Sequence, residues 1–109
     1  MEKIIERNLL FDFYGELLTE HQKDIYRSAV YEDLSLSELS EQYGITRQGV
    51  HDIMKRCDKI LSGYEEKLHL IEKFMNIKEY AGEIEKSISD GKVDTEIIHE
   101  LTEKILTEL

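Results

Sequence analysis

The stretch Glu38–Arg56, ELSEQYGITRQGVHDIMKR, decides how this chain is read. A helix-turn-helix needs two short helices held at a fixed angle, a tight turn between them, and a second helix free to enter a DNA major groove. Each requirement has a residue here. Ser40 is a small residue within the first helix, Gly44 supplies the turn, Ile45 is an apolar plug directly after it, and Val50 and Ile53 hold the second helix down. Thr46, Arg47, Gln48, His51, Lys55 and Arg56 then face outward. Arg pairs bidentately with guanine, Gln with adenine, and Thr or Lys with phosphate. Gly49 removes side-chain bulk at the end of the helix that approaches base edges.

Working outward, helix caps and changes of period set the boundaries, because the chain has no proline and no low-complexity tract. Ser35 and Glu38 have the spacing of a capping box, as do Thr19 and Gln22. The first predicts a short helix with Leu36, Leu39 and Ser40 inward, closed by Gly44. The second predicts a helix ending near Tyr31, with Ile25, Tyr26 and Ala29 inward. Upstream, Leu10, Phe13, Tyr14 and Leu17 fall at i, i+3, i+4 and i+7, which predicts a helix over residues 3–18 with that stripe buried.

Downstream of Thr46, which can cap the recognition helix, Val50, Met54, Cys57, Leu61, Tyr64, Leu68, Ile71 and Met75 alternate at spacings of 4 and 3. That heptad seam predicts one long helix, with a possible bend at Gly63 and another at Gly82. Two explanations stand for the seam: an intermolecular interface, or an inner face covered by the chain's own terminal helices. Ser89–Lys92 reads as a turn, and Asp94 caps a last helix carrying Ile97, Leu101 and Ile105 at i, i+4 and i+8, with Ile98 and Leu109 nearby.

The expected fold is therefore all-α: a three-helical unit built on a helix-turn-helix, a long helix and a C-terminal helical extension. Residues 1–62 form the helical domain, with the helix-turn-helix at about 35–59. Residues 63–109 form an extension for dimerisation or partner binding. At 109 residues, 35% charged and 40% apolar, the composition suits a soluble helical protein. The single cysteine, Cys57, sits on the apolar seam and fits a reducing cytoplasm. The N-terminal apolar run is broken by Glu6, Arg7, Asp12 and Glu16, so it reads as neither signal peptide nor membrane anchor.

The net charge is -10, and its division is informative. Residues 1–45 hold four Lys/Arg against ten Asp/Glu, residues 46–59 four against two, and residues 60–109 six against twelve. The single net-basic window is the recognition segment.

Leu18–Leu68 resembles region 4 of bacterial sigma factors. The whole chain, through LLFDFYGELLT (Leu9–Thr19) and YGITRQGVHD (Tyr43–Asp52), is similar to the YlxM family of small helix-turn-helix DNA-binding proteins. That resemblance implies an all-helical fold with a region-4-like DNA-binding unit. It also implies a link to the signal recognition particle pathway, suggested for the family by gene neighbourhood with the gene for the particle's GTPase. The broad class is winged-helix-like.

DNA is thus the expected partner, weakly or site-selectively bound, because surrounding negative charge opposes phosphates over about 8 to 10 Å. A homodimer is the expected assembly, presenting two recognition helices. The competing expectation is a non-catalytic adaptor or accessory factor of the signal recognition particle, working through acidic faces such as the one bearing Glu65 and Glu66. RNA is less supported, since the outer face lacks aromatic stacking groups. An enzyme is not expected: the four histidines are scattered, Cys57 has no evident base, and no phosphate loop or nucleophile elbow is present. No cofactor or metal is expected.

Overall fold

The computed structural model describes residues 3–109. Six α-helices follow one another there: α1 Lys3–Tyr14, α2 Glu20–Val30, α3 Leu36–Tyr43, α4 Arg47–Leu68, α5 Leu70–Ser89 and α6 Thr95–Glu108. They divide into two compact units, Met1–Leu68 and His69–Leu109. No strand occurs among the described residues. The winged-helix-like reading is corrected accordingly, since those residues contain no sheet from which a wing could extend.

The first unit is α1 to α4 around one core. Tyr14, Ile25, Tyr26, Leu39, Val50, Cys57 and Leu61 are fully buried in it. Both expected capping boxes form. The Thr19 hydroxyl accepts from the Gln22 amide while the Gln22 carboxamide accepts from the Thr19 amide, and Ser35 and Glu38 repeat the exchange.

Three expectations in this unit need correction. The first helix ends at Tyr14, not at residue 18, and a single 3-10 turn, Gly15–Leu17, follows. A Cβ on Gly15 would lie 2.8 Å from the Phe11 ring, so the lack of one is what lets the backbone turn against that ring. Leu10, Tyr14 and Leu18 are buried, whereas Phe13 and Leu17 of the expected stripe are exposed. Leu36, expected inward, is likewise exposed, because α3 reaches the core through Leu39.

α4 runs unbroken through Gly63 and ends at Leu68, where His69 takes a left-handed conformation with φ of 56°. A non-glycine residue there costs on the order of 1 kcal/mol or more, although His tolerates it better than most. The seam is therefore carried by two helices rather than one. Val50, Met54, Cys57 and Leu61 face the first unit's core, Tyr64 is half-buried and stacks on Tyr14 at 6.0 Å, and Leu68 is exposed. Beyond the break Ile71 is buried and Met75 exposed.

The second unit is an antiparallel hairpin of α5 and α6, closed by a turn in which Gly91 has φ of 70°. Asn76 donates to Glu108 at 3.1 Å, and the Lys104 ammonium lies 5.7 Å from the Tyr80 ring centre, which sets the register. Asp94 caps α6 by accepting from the Glu96 and Ile97 amides. Leu101 is buried between half-buried Ile98 and Ile105, whereas Ile97 and Leu109 are exposed. The inner face of α6 is thus centred on Ile98, Leu101 and Ile105. Gly82 lies inside α5 without interrupting it.

Candidate nucleic-acid interface

The corner between α3 and α4 is built by three local devices. Gly44 holds φ of 66°, the left-handed position that glycine reaches without a Cβ clash. Its amide and that of Ile45 both return to the Ser40 carbonyl, and the Ser40 hydroxyl donates to the Ile45 carbonyl. Ser40 is therefore more than a small residue, because it ties the far side of the turn to the end of α3. Thr46 then caps α4, its hydroxyl oxygen accepting from the Gly49 amide at 2.9 Å. A Cβ on Gly49 would sit 3.1 Å from that same oxygen. The glycine clears room for the cap as well as for anything approaching from outside.

Once the corner is set, Val50 and Met54 are buried and Ile53 is half-buried, so the opposite face of α4 must point to solvent. Thr46, Arg47, Gln48, His51, Lys55 and Arg56 are all exposed there. Arg47, Gln48 and His51 line one shallow depression together with Leu36. Lys55 and Arg56 line the next with Asp52 and Lys59. His51 and Lys55 also border a third with Lys3 and Arg7 of α1. These depressions share His51 and Lys55 in part, and they carry the exposed face from the leading turn of α4 along its next two turns to α1, where Lys3 adds a cation and Arg7 is paired with Asp58.

Two members of this surface were not singled out by the sequence. Lys59, four residues after Lys55, continues the same outward row, and helical spacing alone could have shown it. Asp52 also points outward, where its carboxylate accepts from Gln48 Nε2 at 2.9 Å and lies 3.7 Å from His51 Nδ1. The neighbourhood of Lys3 follows from packing between α1 and α4, which no local pattern encodes.

The second acid of the basic window, Asp58, lines the third depression beside Lys55, but its charge is matched there. Asp58 is clasped by Arg7, with Nε at 3.0 Å and Nη2 at 2.6 Å from its oxygens, and accepts from the Tyr26 hydroxyl at 2.7 Å. Burial first, and then the hydrogen bond to Asp58, push the Tyr26 phenol far above its ordinary range. With Asp58 matched by Arg7, the outward part of the window holds four Lys/Arg against Asp52 alone, 4 - 1 = +3.

Glu65, expected at a solvent-facing position, is half-buried and accepts from the Tyr14 hydroxyl. Glu66 is exposed as expected. Among the described residues no group of three or more His, Cys, Asp or Glu side chains is placed to hold a metal ion. No helix among them is long and apolar enough to cross a membrane.

A glycine corner, a capped second helix, and an apolar underside beneath an exposed polar leading turn define a helix-turn-helix protein of the all-α class. The chain matches the UPF0122 family, described as "Putative helix-turn-helix protein, YlxM / p13 like", over residues 1–104, and belongs to that family. The UPF0122 protein YlxM of Bacillus subtilis is 44% identical over 98 residues, covering 89% of this chain and 88% of that protein. A UPF0122 protein of Bacillus licheniformis is 42% identical over 106 residues, covering 96% and 97%. One from Desulforamulus reducens is 51% identical over 74 residues, covering 68% of this chain and 63% of that protein.

Proposed function

We propose that this protein is a non-enzymatic DNA-binding regulatory protein whose recognition helix is the N-terminal half of α4, used as in sigma factor region 4. The observation that carries the reading is the solvent-facing row Arg47, Gln48, His51, Lys55 and Arg56 directly beyond the left-handed Gly44 corner. Arg47 and Gln48 lie in the leading turn and read base edges, guanine and adenine respectively. Thr46, Lys55 and Arg56 contact phosphates, since the Thr46 hydroxyl proton remains available while its oxygen caps the helix. His51 sits between the two groups. The net charge of -10 keeps affinity low on arbitrary sequence and leaves the local +3 surface to select a site in the cytoplasm.

The extension beyond the helix-turn-helix pairs two copies. A helical hairpin of about 40 residues buries too little to be self-sufficient. This one leaves Met75, Ile88, Val93, Ile97 and Leu106 exposed. A homodimer would cover part of that surface and present two recognition helices to a symmetric site.

Binding of the full chain to duplex DNA, measured at several salt concentrations with Arg47→Ala, Gln48→Ala and Lys55→Ala beside it, tests the proposal. Each lost phosphate contact should reduce the salt slope by about 0.9, and loss of a base contact should weaken only the preferred sequence. No binding at low salt, or affinity unchanged from the native chain in all three variants, would defeat it.

A second reading is favoured by the charge of residues 60–109, six Lys against twelve Asp/Glu. There the protein is an adaptor in the signal recognition particle pathway, engaging a basic protein surface. Glu66 is the residue to vary in that test, because Glu65 is engaged by Tyr14. Capture of purified particle components that weakens with Glu66→Lys, in a chain that ignores DNA, would favour the adaptor.

A further inference from the structure

The recognition surface carries one acid in the middle of its cations, and the geometry around it is specific. Asp52 is exposed on the outward face of α4, one turn beyond Gln48. It shares a depression with Lys55, Arg56 and Lys59, yet its nearest polar partners are Gln48, at 2.9 Å from Nε2, and His51, at 3.7 Å. An amide nitrogen has two protons, and the bond to Asp52 uses one of them. The second proton and the carbonyl oxygen of Gln48 remain unspent.

Those two groups are the pair that adenine requires, a donor for N7 and an acceptor for N6. A glutamine on an exposed helix ordinarily loses much side-chain freedom when it binds a base. Here part of that ordering is already present. The same carboxylate has the opposite effect on phosphate, since a fixed negative charge beside Lys55, Arg56 and Lys59 offsets part of their attraction for any backbone that comes near.

We propose that Asp52 tunes the specificity of this face: it positions the Gln48 carboxamide for adenine and weakens binding that rests on phosphates alone. The inference rests on the DNA-binding reading and adds a residue and a direction to it. Asp52 is a positioning residue, because it acts on adenine through Gln48.

Two substitutions separate its roles. Asp52→Asn keeps an oxygen that can accept from Gln48 and removes the charge, whereas Asp52→Ala removes both. The full chain and both variants are taken through enrichment from a random duplex library, and their affinity for a non-enriched duplex is measured at low salt. Both variants should bind the non-enriched duplex about threefold more tightly, a part of what one full phosphate contact gives at low salt. Asp52→Asn should retain the adenine preference of the native chain, and Asp52→Ala should lose it. An Asp52→Ala variant that keeps the adenine preference, or an Asp52→Asn variant with unchanged affinity for the non-enriched duplex, overturns the proposal. A native chain that binds no duplex at all removes the DNA-binding reading and this inference together, whereas a native chain that enriches a motif indifferent to both substitutions removes the inference alone.

Discussion

At the scale of single residues, a cross-link of side chains does what no helix pattern requires. Asp58 joins α1 through Arg7 and α2 through Tyr26 while belonging to α4. Arg7 and Asp58 each keep roughly a quarter of the side chain in water, so the ion pair avoids the full desolvation cost of a dry site. Tyr26→Phe should cost about 1 kcal/mol in urea unfolding. Arg7→Met should cost more, about 1 to 3 kcal/mol, because it leaves a half-buried carboxylate without its cation. A double-mutant cycle between the two positions should show coupling, and strict additivity would mean that the three groups do not act as a unit. Cys57 sets a pH dependence. Burial, followed by the charge of Asp58, pushes its thiol up to about 11 from an ordinary value of 9.0. Between those values the folded chain keeps a proton that the unfolded chain has released. The stability it contributes is complete below pH 9 and is lost as pH rises through about 11, on the order of 2 kcal/mol. Urea midpoints between pH 8 and 11 should fall less steeply for Cys57→Ala than for the native chain. Tyr26, raised in the same direction, keeps the slope from vanishing.

At the scale of elements, the glycines distinguish a position that needs no Cβ from one that merely lacks it. A Cβ at Gly44 would meet nothing within 4 Å, but the residue holds φ of 66°, so Gly44→Ala should destabilise by about 1 to 2 kcal/mol. Gly63 and Gly82 lie inside helices, and a Cβ would meet nothing within 4 Å at either. Alanine there should stabilise by about 0.5 to 1 kcal/mol. Thermal melts of the three variants should therefore shift in opposite directions, and a uniform sign would contradict the local account. The cap and turn residues were legible because their effects are local: Thr19 with Gln22, Ser35 with Glu38, Gly44, Thr46 and Asp94 each act within a few residues. The end of α1 was not legible, because it depends on the Phe11 ring meeting the backbone at Gly15. Nor was the end of α4, where a histidine takes the left-handed conformation while Gly63, six residues earlier, stays helical.

At the scale of the whole molecule, an acidic chain with a small basic surface should associate and bind as a balance of two long-range terms. If α5 and α6 pair two copies, sedimentation at micromolar concentration should give twice the mass of 12.8 kDa. Ile97→Glu with Leu106→Glu should return the single mass while helical content stays constant, because both side chains are exposed in the isolated chain. A single mass for the native chain across that range would remove the dimer. If the proposed DNA binding holds, dimer loss should also weaken it more than loss of any one phosphate contact does, since two half-sites would then be bound separately.

What the sequence determined by itself were the things that local chemistry controls. These include the helical class, the capped starts, the glycine corner, and the outward placement of Arg47, Gln48, His51 and Lys55 opposite Val50 and Ile53. Each follows from a period of 3.6 residues or from a hydrogen bond between near neighbours. The tertiary structure alone decided that the seam belongs to two helices, that Asp58 is matched by Arg7 while Asp52 remains on the outer face, and that Lys3 borders the exposed face of α4. Those outcomes depend on side chains that meet from distant parts of the chain, where contact is set by packing between helices rather than by spacing along one.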